Sequence, residues 1–137
     1  MATWAQLVAF IRQEYEIIGD EPDEIRILLR YHTDDDDNQP ERTQMVVVAR
    51  EILDRREDWV QIASPFARVH EVDLRAVLAE VGLTTVVGGV AVIGEYVVLR
   101  HSLPLTNLDI NEFVDPLLLV TGSAELLEQK FIGRDNF

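Results

Sequence analysis

The order of apolar patterns predicts an α+β fold, an antiparallel sheet with helices mainly on one face. Short runs of alternating or β-branched residues follow one another through tight turns, and single amphipathic stripes break them up. Strands and helices do not alternate one for one, as parallel crossover units require. The predicted order is α-β-β-β-α-β-β-α, a single domain over residues 1–137.

Residues 3–18 place Trp4, Leu7, Val8, Ile11, Tyr15 and Ile18 on one helical stripe, with Thr3 as cap and Gly19 as stop. Pro22 marks residues 19–23 as a turn. Residues 24–32 alternate Ile25, Ile27, Leu29 and Tyr31 against Arg26, Leu28, Arg30 and His32, a strand with one apolar face. Asp34, Asp35, Asp36, Asp37 and Asn38 form an acidic hairpin tip. Met45, Val46, Val47 and Val48 make residues 42–53 a second strand. Arg55 to Asp58 is a charged turn, and residues 59–63 are a third strand ending at Pro65.

The period then lengthens. Val72, Leu74, Val77, Leu78 and Val81 keep helical spacing up to Gly82, a C-terminal stop. Residues 84–93 and 95–103 are two more strands, joined through Gly94. A long helix over 109–132 closes the order, its face marked by Phe113, Leu117, Val120, Ala124, Leu127 and Phe131. Asp109 and Glu112 have capping-box spacing, whereas Pro116 should bend or interrupt the helix.

Hydrophobic residues make up 47% of the chain, enough for a packed core, yet net charge is −13. That sign opposes nucleic acid and anionic lipid, whose binding needs clustered Lys and Arg. Here the arginines are scattered among acids. Apolar stretches such as 84–93 are too short to cross a bilayer. The absence of cysteine excludes disulfides and thiolate chemistry, and a cytoplasmic location is expected.

No pattern of catalysis emerges. Counted from Asp34, an EF-hand loop would need Gly at Gln39 and Glu at Met45, so the Asp run reads as a solvated loop. His32, His70 and His101 sit in no metal-binding spacing. Ser64, Ser102 and Ser123 lack a nucleophile-elbow context. Gly88 and Gly89 have no Lys after them, and a bulge or a close backbone approach explains them better than a phosphate loop. Glu125 and Glu128 read as helix surface near Lys130. The expectation is a nonenzymatic protein with no cofactor and no metal.

The informative excess is apolar character on the strands. Met45, Val46, Val47 and Val48 are apolar on both faces, as are Val86, Val87, Val90, Ala91, Val92 and Ile93, then Tyr96, Val97, Val98 and Leu99. The sheet is either wrapped by its own loops or presents a surface to a partner. Met45, Val46, Val48, Tyr96 and Val98 are the candidate partner-binding residues.

The element order resembles the type III secretion chaperone fold, and in particular its YbjN-like branch, sometimes labelled sensory transduction regulators. The stretch 96–113, YVVLRHSLPLTNLDINEF, leaves a strand through Leu-Pro-Leu into a capped helix as that branch does. The ending 124–137, AELLEQKFIGRDNF, is also similar. The Asp run and Pro116 depart from the pattern. The resemblance implies a noncatalytic homodimer that binds an extended segment of a client protein, or a dimeric regulator that binds a folded partner. It maps the dimer onto Leu74, Val77, Leu78, Val81, Val86, Val90 and Val92, of which Leu78 fits a monomer core equally well.

Overall fold

Thr3 starts the first helix by a reciprocal bond. Its Oγ1 accepts the Gln6 N–H at 3.2 Å, while Gln6 Oε1 accepts the Thr3 N–H at 3.0 Å, satisfying donors that helix geometry leaves without partners. In the computed structural model, which describes residues 2–31 and 41–137, α1 spans Trp4–Glu14 and buries Leu7, Val8 and Ile11. The expected continuation to Ile18 does not form. Glu16–Glu21 is instead β1, paired antiparallel with β2 (Glu24–Tyr31) from Glu16↔Leu28 to Glu21↔Glu24. Adjacent β-branched Ile17 and Ile18 favour extended backbone. Ile17 packs against the core and Ile18 faces solvent, the period of a strand.

The remaining elements are β3 (Arg42–Leu53), β4 (Glu57–Arg68), a 3₁₀ turn (Val69–Glu71), α2 (Leu74–Thr84), β5 (Gly89–Ile93), β6 (Tyr96–Pro104) and α3 (Ile110–Phe131). The order is therefore α-β-β-β-β-α-β-β-α, one strand more than the sequence pattern suggested. The sheet is antiparallel throughout, with spatial order β1-β2-β3-β4-β6-β5. The Asp run and His32 lie outside the described residues.

Several boundaries differ from the sequence reading for identifiable reasons. Asp73 caps α2 through the Arg75 N–H at 3.0 Å, and the helix runs on through Gly82. β5 starts only at Gly89, because Gly88 holds φ +92 and a Cβ there would stand 2.8 Å from the Arg100 main-chain oxygen. Only glycine allows that approach. α3 continues unbroken through Pro116, where the fully buried Phe113 and Leu117 anchor it on either side. Asp109 precedes it without a side-chain capping bond.

One core joins sheet and helices. Ile25, Ile27, Val46, Val48, Val60, Ile62 and Leu99 meet Leu7, Ile11, Val77, Phe113 and Leu117 in a single cluster. Each such side chain contributes roughly 1.5–3 kcal/mol on burial. Two sequence expectations are corrected here. Val46 and Val48, expected to touch a partner, and Val77, expected in a dimer contact, are fully buried within one subunit. On β3 the valines alternate, so Val46 and Val48 point to the helices while Met45 and Val47 point away.

Candidate partner-binding face

All three helices bury their apolar sides in that one cluster, which leaves the opposite face of the sheet to the rows between. Pairing registers place Arg26, Val47, Ala63 and Arg100 in one row across β2, β3, β4 and β6. The next row holds Glu24, Ala49, Gln61 and Ser102. The middle of the face thus holds the small apolar Val47, Ala49 and Ala63 beside the polar Gln61, with charged residues around them. Those charges are paired: Arg26 with Glu24 at 3.1 Å, Arg30 with Glu16 at 2.9 Å, Arg100 with Glu51 at 3.7 Å. A groove of about 520 Å³ runs along this face, floored by Met45, Val47, Ala63, Pro65 and Val98 and closed at one end by Tyr96 and Phe137.

The sheet splits beneath that closed end. Pairing of β3 with β4 stops at Val47↔Ala63, while β4 continues along β6 to Arg68↔Tyr96, with an irregularity between Pro65 and Ala67. Pro65 has no N–H to donate, and prolines occur in sheets where pairing ends. Side chains replace the missing rungs. Ser64 Oγ donates to the Met45 carbonyl at 2.6 Å, and Gln44 Nε2 donates to Ser64 Oγ at 2.9 Å and to the Pro65 carbonyl. Both Gln44 and Ser64 are fully buried, where such bonds cost most to lose.

Residues 134–137 cross the gap. Gly133, at φ +74, ends α3 with its N–H on the Glu128 carbonyl at 3.0 Å, a left-handed stop that suits glycine. The chain then turns back. The Asn136 N–H donates to Glu128 Oε2 at 3.0 Å on the helix side. The Thr43 N–H, on the edge that β4 has left, donates to Asp135 Oδ2 at 2.9 Å, and Thr43 Oγ1 donates to the Phe137 main-chain oxygen at 3.0 Å. On the open face the Phe137 ring meets Tyr96 edge to face at 5.9 Å, and Arg68 stands 5.9 Å from the Tyr96 ring centre.

A buried charge cluster anchors this tail. Arg42 of β3 donates to Glu125 and stands 3.6 Å from Glu128 Oε1. Burial pushes the Glu128 carboxyl up to about 7; Asp135 adds to the shift, and the Asn136 N–H and Arg42 oppose it. Burial, with negative Glu125 nearby, likewise pushes the Tyr31 phenol up to about 12. The sequence reading put Glu125 and Glu128 on the helix surface. Correcting it, both are buried, because residues 117, 120, 121, 124, 125 and 128 recur at three- and four-residue steps on the face that meets the sheet. That spacing was the available signal.

The other expected residues are dispersed. Met45 lines the groove half-buried, Tyr96 closes its end, and Val98 is a nearly buried part of its floor. At the α2 and β5 end, Leu74, Val81 and Val90 are half-buried, whereas Leu78, Val92 and above all Val86, 93% exposed, face solvent. Among the described residues no group of three or more His, Asp or Glu is placed to hold a metal ion, and no helix is long and apolar enough to cross a membrane. No protein-family model matches the chain, and no curated protein matches it.

Proposed function

We propose that the chain is a noncatalytic binding protein that holds an extended segment of a client protein along the uncovered face of its sheet, and that it acts as a homodimer in the cytoplasm. The observation that carries this reading is the apolar row through Val47 and Ala63, which no helix among the described residues covers. A long groove with an apolar floor and paired charges at its rim has the anatomy of a protein-binding surface. The net charge of −13 favours a client whose flanks are basic. Apart from the additional strand β1, the order of elements agrees with the resemblance to secretion chaperones. Dimerisation is supported by the exposed Leu78, Val86 and Val92 on α2, β5 and the turn between them.

Reduced, carbamidomethylated lysozyme is an unfolded basic probe, and native lysozyme is its folded control. The protein should bind the unfolded form at about 0.15 M salt. Val47→Glu should weaken that binding by about tenfold or more with its melting temperature little changed. Equal binding by the variant and the wild type overturns the reading. Equal binding of native lysozyme points instead to a regulator that docks a folded partner, for which the exposed α2 surface around Leu78 and Leu83 is suited.

A further inference from the structure

We infer that residues 135–137 are a built-in occupant of the binding groove, which a client must displace by presenting the same chemistry: an extended segment with a hydrogen-bond-accepting side chain two residues before an aromatic one. The inference rests on the binding face proposed above and specifies how one end of it is read.

The seat is defined by the split in the sheet. Where β4 leaves β3, the Thr43 N–H has no strand partner and takes Asp135 Oδ2 instead, while Thr43 Oγ1 takes the Phe137 main-chain oxygen. Two residues on from Asp135, the Phe137 ring reaches Tyr96. That two-residue step is strand spacing, which puts both side chains on one side of an extended backbone. The intervening Asn136 turns its N–H to Glu128 on the other side.

The tail is also built to leave. Residues 133–136 are exposed, and the segment itself is held by a few hydrogen bonds, one ring contact and the solvent-facing Arg134–Glu71 ion pair at 3.5 Å. The buried face of α3 ends before it. Such segments open at little cost compared with the global fold. As a tethered ligand the tail competes at an effective concentration on the order of millimolar, so a weak client is excluded and one that also covers Met45 and Val47 prevails.

The test uses the full chain and a fluorescent peptide copying residues 132–137. Asp135→Ala with Phe137→Ala loosens the tethered copy, so the peptide should bind that variant at least about tenfold more tightly than wild type. Adding Tyr96→Ala should remove the gain. Hydrogen exchange gives a second readout: the Thr43 amide should lose protection in the double variant and regain it with peptide. Equal peptide binding by wild type and double variant, or a Thr43 amide unchanged by either, overturns the inference. So does a Phe137-dependent doubling of mass, which would mean tails exchanged between copies. The two readings fail separately. Peptide binding without capture of unfolded lysozyme leaves the slot and removes the wider face; the reverse leaves the face and removes the slot.

Discussion

Glu128 Oε2 accepts the Asn136 N–H at 3.0 Å, tying a fully buried helix carboxyl to the tail that curls back over it. The carboxyl lies buried between α3 and Arg42 of β3, where burial raises it to about 7. An acid held above its unfolded value is protonated in the folded chain while the unfolded chain has already ionised. Over that interval the unfolded state binds fewer protons, so stability falls as pH rises. Thermal stability should therefore decline between about pH 5 and pH 8, and Glu128→Gln, which keeps an acceptor for Asn136 and never ionises, should flatten the decline. Melting curves at both ends of the range decide it. Parallel pH profiles for variant and wild type would remove the assigned role of Glu128.

Gly88 and Gly89 are neighbours with opposite requirements. Gly88 combines positive φ with the Arg100 oxygen in the place of any Cβ, while nothing lies within 4 Å of the Cβ position of Gly89. Gly88→Ala should cost roughly 1–3 kcal/mol in urea unfolding. Gly89→Ala should be close to neutral or mildly stabilising, since it limits the unfolded chain and fits a strand. Equal losses at the two positions would mean that the close approach to Arg100 is not the cause.

Val77 and Leu78 separate folding from association. Val77 is fully buried and Leu78 is 56% exposed one residue on. Val77→Asp places an unpaired charge in the core and should unfold the protein. Leu78→Asp should keep the circular dichroism and melting temperature of the wild type. If α2 forms the dimer, Leu78→Asp halves the mass seen by light scattering. A wild type that is already monomeric at micromolar concentration would exclude the homodimer.

Much of the sheet was legible because it is local. The alternation of Ile25 and Ile27, the β-branched run within Arg42–Leu53 and the Thr3 box depend on residues a few positions apart. β1 was not, since Tyr15 and Ile18 continue the helical spacing of α1 as well as they fit a strand, and only pairing with β2 separates the two. The apolar surplus on the strands pointed to the open face, but adjacent valines such as Val46 and Val47 do not declare which of them turns inward. The tail seat was hidden for a different reason. Arg42 meets Glu125 across 83 positions and Thr43 meets Asp135 across 92, distances at which no sequence period operates. Charged residues on a helix are also solvated in most proteins, so helical spacing had to outweigh composition to find Glu125 and Glu128.

Arg42 stands against two buried carboxyls of α3, those of Glu125 and Glu128. Burial of its guanidinium works to lower its pKa, yet Glu125, with Asp135 and Glu128, more than offsets this and holds it above the usual value. Removing it leaves Glu125 without its cation inside the protein, and an uncompensated buried charge costs about 3–5 kcal/mol. Arg42→Met should therefore lower stability by roughly that amount, more at pH 8 than at pH 5, because Glu128 loses its proton in between. Replacing the carboxyl as well, in Arg42→Met with Glu125→Gln, should restore most of the loss, since the pair contributes little net energy once both charges are gone. The comparison is a double-mutant cycle in urea. If the two single losses simply add in the double variant, Arg42 and Glu125 are not coupled, and the tail anchor must be sought in Thr43 and Tyr96 alone.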